Sequence, residues 1–200
     1  MAPTPPSRWG TSNASSDAAS TPVGQRIVVR PAGLPSFGYA RLTMPATTQH
    51  DRHLVCPHAD ATSALGRELA AVARAGDVIC LWGDLGAGKT HLTKAFGAGL
   101  GVTDTITSPS FILMAEYHGR LPLFHIDLYR LADAADALAG GLIDDRQAAG
   151  VTLVEWPDRL GPALPTRRLD VFIDGAGDEP RSITLRASHP DLRRYLEVRG

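Results

Sequence analysis

Apolar and polar positions change their pattern at about residue 50. Residues 1–50 contain seven of the fifteen prolines, many Ser and Thr, and hardly any periodic apolar positions. A segment of this kind cannot bury enough apolar surface to offset the entropy lost on ordering. We therefore predict a disordered extension over residues 1–50, in which only QRIVVR (25–30) has a strand-like pattern, and one domain over residues 51–200. Met44 lies shortly before this domain, so translation from Met44 is an alternative start.

The first helix of the domain is predicted to begin near Asp60. Asp60 is a natural N-cap, and Gly76 is a natural residue to end the helix. Between them, Leu65, Leu69 and Val72 recur on one helical face.

Two nearly continuous apolar runs, DVICLWGD (77–84) and VTLVEW (151–156), are typical of buried parallel strands. The first run leads into a helix whose apolar positions include Leu92, Phe96 and Leu100. The other predicted elements are a hairpin with its turn at His118-Gly119 and its second strand ending at Asp127, short helices at 133–140 and 141–150, an antiparallel pair at 167–173 and 181–187, and a short C-terminal helix at 189–198. Strands and helices in this order predict an α/β fold.

Composition and charge exclude several classes of protein. The chain is 44% hydrophobic, and no apolar run approaches the roughly 18 residues of a membrane-spanning helix. The N-terminal residues lack the apolar stretch of a secretory signal, and two cysteines are too few for a disulfide framework. These features favour the cytoplasm and no membrane contact. A net charge of −1 argues against binding of nucleic acid through a strong positive field.

The segment GDLGAGKT (83–90) carries the clearest chemistry in the sequence. It fits G-x-x-x-x-G-K-[ST], in which the glycines let successive backbone N–H groups surround phosphate oxygens. We expect Lys89 to lie between the β- and γ-phosphates, and the Thr90 hydroxyl to bind Mg²⁺. The chain has eighteen Arg and two Lys, so a Lys in this loop indicates a need for its compact ammonium group.

The position of this motif between a strand and a helix makes the fold prediction more specific. We predict a P-loop NTPase-like α/β fold, with a mostly parallel sheet flanked by helices and with added antiparallel hairpin strands. Asp127 and Glu155 each end an apolar strand, and carboxyl ends of parallel strands line the ligand crevice in such sheets. Either carboxylate could serve the metal or be a solvated turn residue, and Glu155 is the better Walker-B counterpart because its strand is fully apolar.

Other polar residues leave their roles open. Ser108 and Ser110 could contact a phosphate or the attacking water, or they could cap a turn. Arg130 is the nearest guess for an arginine finger. Four histidines without metal-ligand spacing are interpreted as surface or strand positions: His53, His58, His118 and His125. Two Arg pairs could touch RNA or phosphate, although such pairs usually lie on solvated faces: Arg167-Arg168 and Arg193-Arg194.

Four motifs together resemble one family. GDLGAGKT, SPSF, HIDLYRL and VEWPDRLG occur in the order and spacing of the bacterial TsaE family, the small ATPase of tRNA threonylcarbamoyladenosine biosynthesis. The resemblance covers about residues 54–195. It implies that ATP phosphates are bound by Leu85, Gly86, Ala87, Gly88, Lys89 and Thr90, with Asp127 beside the γ-phosphate. It also implies that Thr90 and Glu155 hold Mg²⁺, that Ala59 to Thr62 lie near the adenine, and that Trp156 helps shape the site.

The resemblance also implies a function and shows two departures. Members of the family are Mg-dependent ATPases that act poorly alone and assist the TsaB–TsaD complex, which modifies adenosine 37 of ANN-decoding tRNAs. Contact with tRNA would then be only indirect. The family usually has Thr where this chain has His91 and Ser110. Ser110 keeps the hydroxyl, whereas His91 removes one near the phosphates, so hydrolysis is expected to differ more than binding.

Two other P-loop functions are weighed against this one. A small-molecule kinase is the alternative, but it needs an acceptor pocket and usually an Arg-bearing lid, and neither is visible in the sequence. A GTPase needs the base-reading motif N/T-K-x-D, and neither Lys89 nor Lys94 is followed by Asp at the required position.

Overall fold

The computed structural model describes residues 51–131 and 145–199, and these form a seven-stranded sheet with helices. The strands are β1 (Asp51–Cys56), β2 (Asp77–Trp82), β3 (Met114–Tyr117), β4 (Leu123–Asp127), β5 (Val151–Glu155), β6 (Leu169–Asp174) and β7 (Arg181–Ala187). The α-helices in this part of the chain are α1 (Ala59–Val72) and α2 (Lys89–Gly99), and the 3-10 helices are Asp145–Ala149, Pro157–Ala163 and Pro190–Leu196.

The sheet has a parallel centre and antiparallel edges. Its strand order is β1-β7-β6-β2-β5-β4-β3. Parallel pairs join β2 to β5 and β6, and β4 to β5, whereas β7 is antiparallel to β1 and β6, and β3 is antiparallel to β4. The predicted α/β fold with added hairpin strands is therefore confirmed. The apolar runs predicted as β2 and β5 are also confirmed, and both lie at the centre of the sheet because they are apolar on both faces.

The bounds of the first helix differ from the prediction. His58, not Asp60, is the N-cap of α1, and its Nδ1 accepts a hydrogen bond of 3.3 Å from the backbone N–H of Ala61. Asp60 lies exposed in the first turn, where its negative charge interacts favourably with the positive end of the helix dipole. The helix ends at Val72, before Gly76, because the Asp77 carboxylate accepts a hydrogen bond from the backbone N–H of Arg74 and closes a turn there.

Strand β1 was not predicted. It is an edge strand held to β7 by a bidentate pair in which Arg186 donates to Asp51 over 2.9 and 2.6 Å. The predicted C-terminal helix is present, but as a 3-10 helix. Of the region predicted as helix 141–150, the described part holds the 3-10 helix Asp145–Ala149. The predictions for the extension, the Met44 start and helix 133–140 lie outside the described residues.

The two faces of the sheet pack differently. Helices α1 and α2 cover one face with fully buried side chains that include Leu65, Leu69, Leu92 and Phe96. A separate apolar cluster lies on the other face and includes Phe124, Ile126, Val154, Trp156 and Leu160. The sheet is thus covered on both sides beside β4 and β5.

A buried carboxylate ties the C-terminal segment to β2. Asp77 is fully buried and accepts hydrogen bonds from Tyr195 Oη (2.7 Å), from Arg167 (3.2 Å) and from Arg194. Burial raises the pKa of Asp77, but the hydrogen bonds from Arg194, Tyr195 and the Arg74 backbone outweigh it and hold the pKa below its ordinary value. Arg167 and Arg194 therefore serve as partners of the buried Asp77 carboxylate. Arg168 is likewise paired with Asp170 over 2.8 Å.

Replacing Asp77 with Ala is expected to lower the free energy of unfolding by about 1–3 kcal/mol at pH 7, because it removes the acceptor of the buried Tyr195 hydroxyl and of the partly buried Arg194 guanidinium. The folded pKa of Asp77 lies below its unfolded value of about 4, so this stabilisation is complete above pH 4 and is lost as pH falls through the folded pKa. Urea unfolding at pH 7 and at pH 3 measures both effects. Arg193→Ala, at an exposed neighbour, should change stability by less than about 0.5 kcal/mol. If the free energy of unfolding differed between Asp77→Ala and the parent by the same amount at both pH values, the role of the Asp77 charge would be contradicted.

Candidate functional site

The register of the parallel strands brings the predicted acidic residues together. In the sheet, Glu155 at the end of β5 is the partner of Leu81 on β2 and of Asp127 on β4. Both carboxylates are almost fully buried, with 3% exposure for Asp127 and 2% for Glu155. Because the glycine-rich loop follows β2, it lies at the same edge of the sheet as these two residues.

The loop between β2 and α2 has a backbone that only glycine allows at its first position. Gly83 has φ +145°, and a Cβ there would lie 2.4 Å from the Ile173 carbonyl oxygen of β6. At the other end, Gly88 has φ +106° and is the N-cap of α2, without a side-chain capping bond. The first N–H groups of α2 therefore face the loop with no capping side chain, which is the arrangement that binds anions at a helix N-terminus.

The Lys89 side chain is fixed by contacts with the glycine-rich loop and with Trp156. Its Nζ donates to the carbonyl oxygens of Gly83 (2.7 Å) and Asp84 (2.9 Å) and lies 3.7 Å from the ring centroid of Trp156. Burial lowers the pKa of Lys89, and the nearby carboxylates, Glu155 first, oppose that shift. The ammonium group is thus surrounded by oxygens and an aromatic face at the end of the sheet.

Glu155 connects the loop helix to strand β4. One carboxylate oxygen accepts a hydrogen bond of 3.1 Å from Thr90 Oγ1, and the other lies 2.8 Å from His125 Nε2. Glu155 is therefore not a solvated turn residue. His125 is a strand position, as predicted, but it is fully buried and not on the surface.

Asp127 accepts hydrogen bonds from both serine hydroxyls of the Ser108-Pro109-Ser110 segment. Its Oδ2 accepts hydrogen bonds from Ser110 (2.7 Å) and Ser108, and its Oδ1 accepts from the backbone N–H of Tyr129 at 3.0 Å. A turn begins at Pro109, because its carbonyl oxygen accepts hydrogen bonds from the backbone N–H groups of Ile112 and Leu113. Ser110, which stands where the family usually has Thr, makes its contact through the hydroxyl that both residues share.

A cavity of about 330 Å³ lies between these groups. Its lining includes Lys89, Thr90, Asp127 and Glu155, and all the other residues expected to bind the phosphates or the metal except Ala87. The full lining is Leu85, Gly86, Gly88, Lys89, Thr90, His91, Ser108, Ser110, Asp127, Tyr129, Glu155 and Trp156. Leu85 is 69% exposed at its mouth.

A second cavity of about 460 Å³ shares Gly86, Gly88 and His91 with the first. It extends between the start of α1 and the β6–β7 connection, and Ala87 is part of its lining. Arg181 of β7, which the sequence analysis did not single out, donates from Nε to the Ala87 carbonyl over 2.9 Å and so braces the loop. No local signal in the sequence indicates this contact, because it depends on the strand order.

His91 joins the two helices at the site. Its Nε2 lies 2.8 Å from Ser63 Oγ and 3.1 Å from the Ala59 carbonyl oxygen, both in the first turns of α1. Arg130, the guess for an arginine finger, lies outside the linings of both cavities, with its Cζ 4.0 Å from the Phe111 ring centroid. A role for Arg130 stays a prediction.

Residues 51–131 and 145–199 lack two features that would indicate other kinds of site. They contain no group of three or more His, Cys, Asp and Glu side chains placed to hold a metal ion. No helix in the same residues is long and apolar enough to cross a membrane.

The fold and the site together define a class of protein. The glycine-rich loop and the helix after β2 carry Lys89 and Thr90. The adjacent strand β5 ends in Glu155, and β4, the strand next to β5, ends in Asp127. This arrangement places the chain among the P-loop NTPase-like α/β proteins.

Comparisons with known proteins identify the family. A sequence profile described as "Threonylcarbamoyl adenosine biosynthesis protein TsaE" matches residues 56–183. The Bacillus subtilis tRNA threonylcarbamoyladenosine biosynthesis protein TsaE is 46% identical over 63% of this chain and 79% of its own length. The protein of the same name from Treponema pallidum is 38% identical over 62% of this chain and 92% of its own length. The chain therefore belongs to the TsaE family, and the resemblance seen in the sequence is confirmed.

A solved structure supports the same assignment. The crystal structure of Bacillus subtilus YdiB has a TM-score of 0.64 to this chain and 36% sequence identity. It covers 76% of this chain, which covers 95% of that protein.

Proposed function

We propose that this protein is a Mg-dependent ATPase that takes part in threonylcarbamoyl modification of adenosine 37 in ANN-decoding tRNAs, together with TsaB and TsaD. The observation that carries the proposal is the convergence of Lys89, Thr90, Asp127 and Glu155 on one cavity beside a glycine-rich loop. The names of its relatives supply the pathway. We infer that hydrolysis by the protein alone is slow, as the resemblance implies.

The two adjoining cavities suit the two parts of a nucleotide. The smaller one offers backbone N–H groups, a helix N-terminus and the Lys89 ammonium group, all of which favour phosphate oxygens. The larger one begins at Gly86 and Gly88 and ends against Ala59 and Thr62, which is where the nucleoside would lie.

The donor set at the loop also fits Mg²⁺. Magnesium in nucleotide sites takes one or two carboxylates and hydroxyl groups, and its other positions are filled by water and phosphate. Thr90 Oγ1 and Glu155 Oε2 lie 3.1 Å apart and offer one hydroxyl and one carboxylate. When bound, the ion would neutralise charge on the phosphate oxygens. Asp127 would orient Ser108 and Ser110 toward the γ-phosphate and the attacking water.

An indirect role towards tRNA agrees with the charges of the chain. The net charge is −1, which provides no general field for a polyanion. Arg167, Arg168 and Arg194 are committed to the buried carboxylates of Asp77 and Asp170. Contact with the tRNA would then be made by the partner complex.

Adding TsaB and TsaD is expected to raise the rate of ATP hydrolysis by about tenfold or more, which corresponds to about 1.4 kcal/mol of barrier. Phosphate release is measured with and without the partners, and GTP is run beside ATP. The Thr90→Ala variant should show no stimulation, because it lacks the hydroxyl beside Glu155. Unchanged turnover with the partners would contradict the proposal, and a phosphorylated small metabolite formed without them would favour a kinase instead.

A further inference from the structure

We propose that His125 is a positioning residue for the metal, because its ring fixes the Glu155 carboxylate in the orientation that meets Thr90. His125 is the first residue of the HIDLYRL motif, in which the sequence analysis assigns a role in binding to Asp127 but none to His125. The inference rests on the proposed function, since it assigns a task within the Mg²⁺ and ATP site. It concerns a residue that would touch neither the ion nor the nucleotide.

The position of His125 follows from the sheet. His125 lies two residues before Asp127 on β4, and its register partner Leu153 lies two residues before Glu155 on β5. Side chains two residues apart on a strand share a face, so the imidazole lies on the same face as both carboxylates and one step deeper in the sheet. From there Nε2 reaches Glu155 Oε1 over 2.8 Å.

The two oxygens of the Glu155 carboxylate have different partners. Oε1 is held by His125, and Oε2 faces Thr90 Oγ1 at 3.1 Å. A glutamate side chain has several rotatable bonds, and anchoring one oxygen restricts where the other can lie. Hydrogen bonds of this kind to ligating carboxylates orient the ligand and tune its affinity for the metal.

The hydrogen-bond pattern also assigns the proton on the ring. A carboxylate oxygen only accepts, so Nε2 of His125 is the donor. Nδ1 is buried and has no hydrogen-bond partner among residues 51–131 and 145–199. A hydrogen on Nε2 alone satisfies the contact without burying an unpaired donor.

Packing does not account for a histidine here. Its neighbours on β4, Leu123, Phe124 and Ile126, are apolar and at most 2% exposed, and His125 itself is fully buried. An apolar side chain would fill this position without an unpaired ring nitrogen. The contact with Glu155 is the interaction in the structure that an imidazole provides and a leucine does not.

The test measures binding of a fluorescent ATP analogue at increasing Mg²⁺ and in EDTA, with His125→Leu and His125→Gln. We expect His125→Leu to raise the half-saturating Mg²⁺ concentration by about 10–100-fold, the usual effect of losing such a partner, with unchanged affinity in EDTA. His125→Gln, whose amide nitrogen can replace Nε2 as donor, should recover most of the loss. Thermal unfolding of each variant is recorded beside the titrations.

Thr152→Val is the matched control. Thr152 is a buried residue of β5 on the opposite face, and its Oγ1 has no partner among the described residues. It should leave the Mg²⁺ dependence unchanged. A His125→Leu variant with the parent's Mg²⁺ dependence would overturn the inference, and so would equal weakening with and without Mg²⁺. If His125→Leu does not fold, a His125→Gln titration shifted by tenfold or more would overturn it. A parent protein without any Mg²⁺ dependence would instead overturn the proposed function.

Discussion

Replacing Lys89 with Ala is expected to lower ATP hydrolysis by roughly 100-fold or more, because Lys89 is the one buried cation, among the described residues, in the lining of the cavity proposed to bind the phosphates. The Nζ of Lys89 is placed by two loop carbonyls and by the face of Trp156. Arg cannot replace it there, since its planar group is larger and has different donor directions. Lys89→Arg should therefore also lose activity. Steady-state phosphate release measures both variants.

The chain offers a matched control for this prediction. Lys94 is the other lysine of the sequence and lies exposed on the same helix, α2. Lys94→Ala should keep the parent's rate, and circular dichroism of all three variants should be alike. Equal losses in Lys89→Ala and Lys94→Ala would indicate damage to the helix. Undiminished hydrolysis in Lys89→Ala would contradict the assignment of the loop.

Replacing Glu155 with Gln is expected to abolish Mg²⁺-dependent activity and to raise the half-saturating Mg²⁺ concentration by roughly 100-fold or more. Loss of an outer-shell partner costs about 10–100-fold, and a direct ligand should cost at least as much. Gln keeps the volume of the side chain and an oxygen that can accept from His125, so the change is mainly one of charge. Mg²⁺ titration of nucleotide binding and of hydrolysis measures the effect.

Asp174→Asn is the control for Glu155→Gln. Asp174 also ends a strand of the parallel centre, β6, but it is exposed and accepts from the backbone N–H of Gly175 at 3.0 Å. The substitution removes one negative charge at the same end of the sheet without touching the cavity. A similar shift in both variants would show a general effect of charge, and it would count against Glu155 as the metal ligand.

The central elements could be predicted because their signals are local. Strands β2 and β5 are apolar over nearly their whole length, and the glycines of the loop and the periodic Leu92 and Phe96 define the start and face of α2. Burial on both faces requires this pattern, and a chain of this length has few other places for such strands. The motif alone predicted Lys89 and Thr90 as site residues. The ends of two apolar strands predicted Asp127 and Glu155.

The remaining features depend on neighbours that are distant in the chain. His125 acquires its partner only when β4 and β5 pair in register, and Arg181 reaches Ala87 only because β6 pairs with β2 and β7 pairs with β6. Strand β1 escaped prediction because its apolar residues follow one another instead of alternating, and Val55 is 71% exposed. His58 was missed as an N-cap since Asp60, two residues later, is the commoner residue for that position.

The pairing of β1 with β7 has a consequence for folding during synthesis. β1 is the first strand of the described domain to leave the ribosome, and β7 is the last. The described residues give β1 no other strand as a partner, so the Asp51–Arg186 contact cannot form until translation of the domain is nearly finished. Pairings between such distant segments are slow and leave strand edges open to aggregation. The nascent chain should therefore acquire β1 as its final edge strand only once β7 has been made, whereas β2, α2 and β5 can assemble earlier.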